Sequence, residues 1–241
     1  RVPISDFHCG LRALTRRAFQ QMNLRTIGME LASELVVKAA VRGMRIEEVP
    51  VTLRPDGRSR PPHLRRFRDG WRHLRFLLTL SPRWTLLFPG AALASLGAAL
   101  MALVFTGPAH VNSITLDIHT LVVGSLFVTV GYGALTTAIA MRIYALVEEL
   151  GPPAPRLERS FAVFTLERGL VVGALLTLAG ATLIGLQLWH WYRADWGPLD
   201  STLTLRPTIL GATLVALGMQ TGLSSFVYSM LGIRRRRAPS T

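Results

Sequence analysis

Two short stretches near the start of the chain hold residues whose types and spacing suit the handling of an anionic ligand. In DFHCGLRAL (6–14), Gly10 lets a backbone approach a ligand closely, and the pattern places Arg12 in the first turn of a helix. Glu34 lies four residues after Glu30 and shares its face of the next predicted helix. A carboxylate there can contact a substrate hydroxyl or pair with a nearby arginine. Alone, each feature also fits a plain turn with a surface arginine or a structural ion pair.

A third stretch, LRPDGRSRP (53–61), concentrates phosphate-binding side chains around two small residues. Arginine forks and a serine hydroxyl match the oxygens of a phosphate. The candidate ligands are Arg54, Arg58, Ser59 and Arg60. The alternative is a solvated basic loop beside anionic lipid. Because the loop leads directly into an amphipathic segment, a phosphate held here could belong to a lipid.

The elements that must position these residues follow the order helix, helix, strand. A helix is predicted to follow the turn at Gly10 and run to residue 22, and a second spans 28–43 with Gly43 as its stop. Residues 45–53 have strand composition, with Pro50 suggesting an edge strand. This order predicts the C-terminal end of an α/β domain.

The next segment, 63–78, predicts a helix lying in the membrane interface. Its apolar residues recur at spacings of three and four and form one stripe: Leu64, Phe67, Trp71, Leu74 and Leu78. Its arginines lie mostly elsewhere around the helix: Arg65, Arg66, Arg68, Arg72 and Arg75. Long arginine stems keep their charges near lipid phosphates while the stripe enters the membrane. The stripe argues against nucleic acid as the partner of this basic run, since apolar side chains would be wasted in solvent.

Four apolar spans follow, with predicted limits 85–105, 118–141, 169–190 and 208–231. Arginines are absent from the first connection and frequent in the second and in the RRRR tail (234–237). The positive-inside rule therefore predicts that the N-terminal region, the middle loop and the tail are cytoplasmic. We expect the membrane to be a bacterial inner or plasma membrane. Two G-x-x-x-G pairs, Gly169/Gly173 and Gly218/Gly222, predict close helix approach, within one bundle more readily than between copies.

Composition supports an integral membrane protein with a small basic region. The 241 residues carry a formal net charge of +13, and the single cysteine, Cys9, permits no internal disulfide. The chain has no Asp-x-Asp, H-E-x-x-H, paired C-x-x-C, P-loop or G-x-S-x-G motif. It begins at Arg1 within sequence that reads as ordered, which we interpret as the C-terminal part of a longer protein.

Three motifs in order resemble the C-terminal part of family 2 glycosyltransferases of the dolichyl-phosphate mannose synthase type. Those enzymes often read D-x-x-S/C-G-F-R, then a helix with an acidic residue, then E-V-P-V, arginine and G-x-S-K. Here the motifs appear as DFHCGLR (6–12), EVPV (48–51) and GRSR (57–60). Leu11 replaces the usual aromatic residue and Arg60 the usual lysine, which leaves the sugar and the lipid open.

The resemblance implies a GT-A fold for the intact enzyme and transfer of a sugar, with inversion, from a nucleotide sugar to a polyprenyl phosphate. It implies that residues 1–60 end the catalytic domain, 61–83 form the juxtamembrane helix, and 84–241 carry the four spans and basic tail. It implies that Arg12, Ser59 and Arg60 lie near phosphates, with Glu34 near the active site. Mg²⁺ or Mn²⁺ would be bound by residues upstream of Arg1, so the 241 residues alone are expected to be inactive.

A non-enzymatic membrane protein, such as a flippase subunit for lipid-linked sugars or a scaffold, remains the alternative. Four spans with short loops suit it, and charged residues inside the spans would favour translocation. Few charged or titratable residues lie within the spans. Asp117 and His119 lie near the predicted outer edge of the membrane, and Arg142 lies near the inner edge. This alternative does not account for the three ordered motifs. The oligomeric state is open.

Overall fold

A computed structural model describes residues 4, 9–24, 29–52, 57, 67–68, 70–71, 74–75, 78, 81–148, 165–198 and 200–232. The chain forms two compact units, Arg1–Ser81 with Ala145–Ala154, and Pro82–Tyr144 with Pro155–Thr241. The first is the polar unit and the second the membrane unit.

The polar unit contains helices α1 (Arg16–Met22) and α2 (Met29–Val41). Helix α1 begins at Arg16 because the Thr15 hydroxyl accepts the Ala18 N–H at 3.1 Å and so caps the first turn. The prediction that Arg12 lies in the first turn of this helix is therefore wrong. Arg12 lies before the cap, in irregular backbone.

Helix α2 ends as predicted at Gly43. The Met44 N–H donates to the Ala39 carbonyl at 2.9 Å and the Gly43 N–H to Ala40 at 3.1 Å, which is a Schellman motif. Gly43 has φ +63°, a left-handed conformation that glycine adopts without steric cost.

The strand predicted for residues 45–53 is absent from its described part. Residues 44–52 are irregular, and Val49 and Val51 are 76% and 60% exposed. A strand needs a neighbour to complete its hydrogen bonds, and Pro50 removes one donor. No described residue of the polar unit forms a ladder with this segment, so strand composition alone does not produce a strand.

The membrane unit contains four long helices and a small hairpin. The helices are α3 (Phe88–Val104), α4 (Ile118–Val147), α5 (Leu166–Arg193) and α6 (Ser201–Gly232). Strands β1 (Ala109–Val111) and β2 (Ile114–Leu116) pair antiparallel between α3 and α4, with Ala109 opposite Leu116. The four predicted spans are confirmed, since four helices among the described residues are long and apolar enough to cross a membrane.

A π-helical turn at Arg83–Leu87 leads directly into α3. Its wider register appears in the Phe88 N–H, which donates to the Arg83 carbonyl five residues earlier. Pro89 follows in the first turn of α3. Its ring has no N–H and crowds the carbonyl four residues before it, so a widened turn relieves the clash.

Glycines hold α3 and α4 together in antiparallel contact. A Cβ on Gly97 would lie 2.5 Å from the Gly124 carbonyl oxygen, and one on Gly131 would lie 2.6 Å from the Gly90 carbonyl oxygen. Such distances require the absence of a side chain, so these glycines set how closely the two backbones approach.

Glycines also join α5 to α6, and the two G-x-x-x-G pairs face each other within the chain. A Cβ on Gly173 would lie 2.7 Å from the Gly218 carbonyl oxygen and 3.0 Å from the Gly222 nitrogen. A Cβ on Gly169 would collide with the Ser225 side chain. The expectation of packing within one bundle is confirmed.

Hydroxyl groups join α4 to α6. Ser125 and Thr213 share a hydrogen bond of 2.7 Å between their side-chain oxygens, as do Tyr132 and Thr221. Further along, the Tyr228 phenol donates to the Thr136 carbonyl at 2.8 Å. Residue numbers rise together on both helices, so α4 and α6 run parallel, as expected for the second and fourth spans of a four-span protein.

An ion pair lies at the β-hairpin end of these two helices. Arg206 of α6 reaches Asp117, at the start of α4, with a separation of 2.5 Å. Met101, Val104 and Leu121 form a small apolar core at the same end. Asp117 was a candidate for translocation, but its carboxylate pairs with a cation on a neighbouring helix, which favours a structural role.

Candidate functional site

Arg12 links the Cys9–Gly10 turn to helix α2. Its Nε donates to the Cys9 carbonyl at 2.8 Å and its Nη1 to the Ala32 carbonyl at 2.5 Å. These two bonds to backbone carbonyls fix the orientation of the planar guanidinium. The structure thus brings the first motif against α2, although it does so through backbone carbonyls.

Glu34 is buried at the junction of α1 and α2. Its side chain is 1% exposed and its Oε1 lies 2.7 Å from the Nζ of Lys38, whose side chain is 3% exposed. The same ammonium donates to the Asn23 carbonyl at 2.7 Å, at the residue that ends α1 in a left-handed conformation with φ 46°. One buried ion pair therefore joins the end of α1 to the middle of α2.

Gly10 is not required by the described structure. Its backbone is not left-handed, and a Cβ built on it meets nothing within 4 Å. The close approach of a ligand to the Gly10 backbone stays a prediction.

We predict that Gly10→Ala changes the free energy of unfolding by less than about 1 kcal/mol. The measurement is thermal unfolding of the intact protein in nanodiscs. Gly43→Ala is the matched control, because its left-handed backbone should cost roughly 1–2 kcal/mol. A Gly10→Ala loss as large as that of Gly43→Ala would show that the turn is packed more tightly than described.

Most of the predicted phosphate loop and part of the interfacial helix lie outside the described residues. These positions are Arg54, Arg58, Ser59, Arg60, Leu64, Arg65, Arg66 and Arg72. Gly57 is described, and a Cβ on it would meet nothing within 4 Å. Whether the loop approaches Arg12 stays a prediction.

The described residues of the interfacial segment are helical and leave the apolar stripe uncovered. Phe67, Trp71 and Leu74 are 94%, 61% and 47% exposed. Arg68 belongs to the same helical segment. Uncovered aromatic and aliphatic side chains beside arginines suit a membrane surface.

No metal site appears among the described residues. They contain no group of three His, Cys, Asp or Glu side chains close enough to hold an ion. The described part of the chain does not fit a divalent cation, so no step below depends on one.

Comparison with known proteins finds two similarities. Residues 139–232 match the glycosyltransferase family 2 C-terminal transmembrane region. Over 234 residues the chain is 29% identical to the low-salt glycan biosynthesis hexosyltransferase Agl6 of Haloferax volcanii, covering 95% of this chain and 54% of that protein. The chain resembles the C-terminal part of a family 2 glycosyltransferase, as the motifs predicted. It spans about half the length of this curated relative, and no solved structure matches it.

The matched transmembrane region includes all of α5 and α6. The glycine contacts between those helices therefore belong to the part that matches the family region, whereas the hydroxyl bonds to α4 join this region to residues that precede it. The spans form a packed bundle, which is more than separate hydrophobic anchors require.

Sequence reasoning considered a substrate hydroxyl or a nearby arginine for Glu34 and missed Lys38 as a partner. The spacing of four between Glu34 and Lys38 was a usable signal, since a glutamate preceding a lysine by four residues forms the favoured helical pair. The Asn23 and Ala32 carbonyls could not have been found this way, because backbone atoms leave no trace in residue types.

Proposed function

We propose that the chain is the C-terminal, membrane-inserted part of an enzyme that transfers a hexose from a nucleotide sugar to a polyprenyl phosphate. The observation that carries the proposal is the alignment of 95% of the chain with a glycan biosynthesis hexosyltransferase. The three ordered motifs support the acceptor class, and the uncovered amphipathic stripe supports action at a membrane surface.

The proposed chemistry needs little base catalysis. A phosphate oxygen of the acceptor attacks the anomeric carbon of the donor sugar, forming a C–O bond with inversion. The bond from that carbon to the donor diphosphate breaks, and the nucleoside diphosphate leaves with the electron pair. The acceptor is already an anion, so the protein has to bring two polyanions together and stabilise the leaving group with cations.

Within this proposal, the phosphate ligands are Arg12 and the loop residues Arg54, Arg58, Ser59 and Arg60, with Gly10 allowing close approach. Residues 1–60 would complete a GT-A-like domain, 61–83 would hold it at the depth of lipid phosphates, and the polar unit and tail would be cytoplasmic. A catalytic role for Glu34 stays a prediction, and its carboxylate already pairs with Lys38. Mg²⁺ or Mn²⁺, if used, would be held outside this chain, and the chain alone would be inactive.

We predict that Arg60→Ala in the intact protein lowers sugar transfer roughly a hundredfold, because it removes a cation facing developing phosphate charge. The assay uses membranes, polyprenyl phosphate, a divalent cation and labelled nucleotide sugars, with label counted in the organic phase. Arg12→Ala is tested beside it together with its unfolding midpoint, because Arg12 also holds the Cys9 turn to α2.

Arg45→Ala is the matched control, since Arg45 is exposed and pairs with Glu47 outside the three motifs. Transfer that is indifferent to Arg12 and Arg60 would retain the class and discard the site. An absence of transfer with every donor, in folded protein, would favour the flippase or scaffold alternative.

A further inference from the structure

Four aromatic side chains gather where α5 ends and the chain turns toward α6. They are Trp189, Trp191, Tyr192 and Trp196, and together they form what we call the aromatic cluster. The Trp196 ring meets the Trp191 ring edge-on at a centroid distance of 4.9 Å, and it meets the Tyr192 ring at 5.9 Å. The Trp189 and Tyr192 rings lie 5.8 Å apart. Aromatic pairs at such distances attract, so the four rings make one connected surface.

The backbone after α5 adopts an uncommon conformation that fixes the position of Trp196. Asp195 and Trp196 have φ of 51° and 59°, in the left-handed region that residues other than glycine rarely adopt. The Trp196 N–H donates to the Trp191 carbonyl at 3.1 Å, and the Trp191 indole N–H donates to the Gly197 carbonyl at 3.0 Å. A strained backbone held by its surroundings points to a use for the side chain that it positions.

Closing the α5–α6 hairpin does not by itself require these rings. The α3–α4 and α5–α6 pairs are built alike, because each packs through glycines that lie seven residues apart on both helices. These glycines are Gly90 and Gly97 with Gly124 and Gly131 in the first pair, and Gly173 and Gly180 with Gly211 and Gly218 in the second. The connection of the first pair, 105–117, contains no tryptophan or tyrosine. The residues of the aromatic cluster are 39–57% exposed, so they do not form a packed core either.

The position and chemistry of the aromatic cluster match the boundary between hydrocarbon and lipid headgroups. Trp189 lies near the end of α5, which is long and apolar enough to cross a membrane. Indole and phenol rings combine an apolar body with a polar N–H or O–H, and they are enriched at that boundary. Exposed Arg193 adds a cation, its guanidinium 5.8 Å from the Trp189 ring centroid. Its long stem lets the charge stay in the headgroup layer beside the rings.

The aromatic cluster is also continuous with the exposed apolar surface of α5. Leu178 lies eleven residues before Trp189, close to three helical turns, so the two residues share one face of the helix. Leu178 is 63% exposed near the middle of the span. One face of α5 therefore changes from aliphatic at its middle to aromatic at its end, which is the order that a lipid leaflet presents.

We propose that the aromatic cluster and Arg193 form a surface that docks in the headgroup layer of the bilayer and fixes the depth of the α5–α6 hairpin. Continuity with the apolar face of α5 favours lipid over a protein partner as the occupant. The left-handed residues hold Trp196 beside α5, so the surface is preformed and loses little conformational freedom on contact with lipid. The inference uses only α5 and the connection after it, and it is independent of sugar transfer.

The test measures the depth of individual tryptophans in the intact protein, reconstituted in bilayers of phosphatidylcholine and phosphatidylglycerol. The protein carries fluorotryptophan, and Trp189→Phe and Trp196→Phe assign the two fluorine resonances. Paramagnetic lipids labelled at the headgroup or at the chain end, and a water-soluble paramagnetic agent, report on three environments. Leu178→Trp is the depth standard, because residue 178 lies on the same face about 16 Å nearer the middle of the span.

We expect the headgroup label to broaden the Trp189 and Trp196 resonances about twofold more than the chain-end label does, since both rings should lie at the interface. The resonance added by Leu178→Trp should show the reverse order. Stronger broadening of Trp196 by the chain-end label, or by the water-soluble agent alone, would overturn the proposal. Resistance to all three agents would also overturn it, because protein from a second copy or another partner would then cover the rings.

A further variant tests whether the aromatic cluster fixes the depth of the hairpin. Trp189→Ala with Trp196→Ala, made in the Leu178→Trp protein, should change the ratio of headgroup to chain-end broadening at residue 178 about twofold. Asp195→Ala is the matched control, because it alters the neighbouring left-handed residue and retains every ring. An unchanged ratio in folded protein would overturn the depth-fixing role. The depth measurement needs only Trp→Phe changes, so it decides the docking even if the alanine variant does not fold.

Discussion

Replacing Glu34 with glutamine is expected to destabilise the contact between α1 and α2 by about 3 kcal/mol, which is over a hundredfold in the opening equilibrium. The change leaves the Lys38 ammonium charged, 3% exposed and without its anion. Water does not reach the buried ammonium to solvate it, and the Asn23 carbonyl alone cannot replace a carboxylate as its partner. The measurement is native-state hydrogen exchange of α2 amides in the intact protein in nanodiscs.

The exposed pair Arg45–Glu47 provides a matched control in the same unit. Its side chains are 86% and 69% exposed, so Glu47→Gln should cost less than about 1 kcal/mol. Equal effects of Glu34→Gln and Glu47→Gln would show that the buried pair is not intact in the protein.

A double variant separates the charge from the packing. Glu34→Gln combined with Lys38→Met removes both charges at similar volume, and we expect it to recover much of the stability lost by either single change. If stability recovers and sugar transfer does not, Glu34 has a role in the reaction beyond the pair. If both recover, the predicted catalytic role of Glu34 is wrong and the pair only positions α2.

The second large effect is expected at Gly180, one of the glycines of α5 that face α6. A Cβ there would collide with the Gly211 carbonyl oxygen and would lie 2.8 Å from the Val215 nitrogen. Both are backbone atoms and cannot rotate away, so Gly180→Ala must separate the helices. We expect a loss of roughly 1–3 kcal/mol, measured as the unfolding midpoint of the intact protein in detergent.

Gly185 offers a control on the same helix, one and a half turns further on. A Cβ on it meets nothing within 4 Å, so Gly185→Ala should be neutral or stabilising by up to about 1 kcal/mol through helix propensity. The two substitutions are chemically identical, and the structure predicts opposite signs for them. Equal effects would contradict the described packing of α5 on α6.

The membrane spans and the end of α2 could be predicted from the sequence because each depends on the free energies of residues close together along the chain. Transfer of apolar side chains into lipid is nearly additive along a segment, so the four spans were found within a few residues of their described ends. The stop at Gly43 was found for a similar reason, since a left-handed residue after a helix favours glycine.

Predictions that depended on a partner from another part of the chain were less accurate. Residues 45–53 have strand composition, but their described part pairs with no strand. The start of α1 was predicted too early. The helix begins only after Thr15, whose hydroxyl caps its first turn, and not directly after the turn at Gly10. In the candidate site, Arg12, Glu34 and the spacing of Glu34 to Lys38 were visible in the sequence, whereas the Ala32 and Asn23 carbonyls that accept from Arg12 and Lys38 were not.

By itself the sequence determined that the chain is an integral membrane protein. It also determined the number of spans, the amphipathic stripe and the order of the three motifs. Each is a property of residues close together along the chain. Only the tertiary structure decided that α4 packs parallel to α6 through Tyr132 and Thr221, and that Arg12 reaches the Ala32 carbonyl. These contacts join positions far apart in sequence. They contribute to stability only after folding has brought the backbones close together.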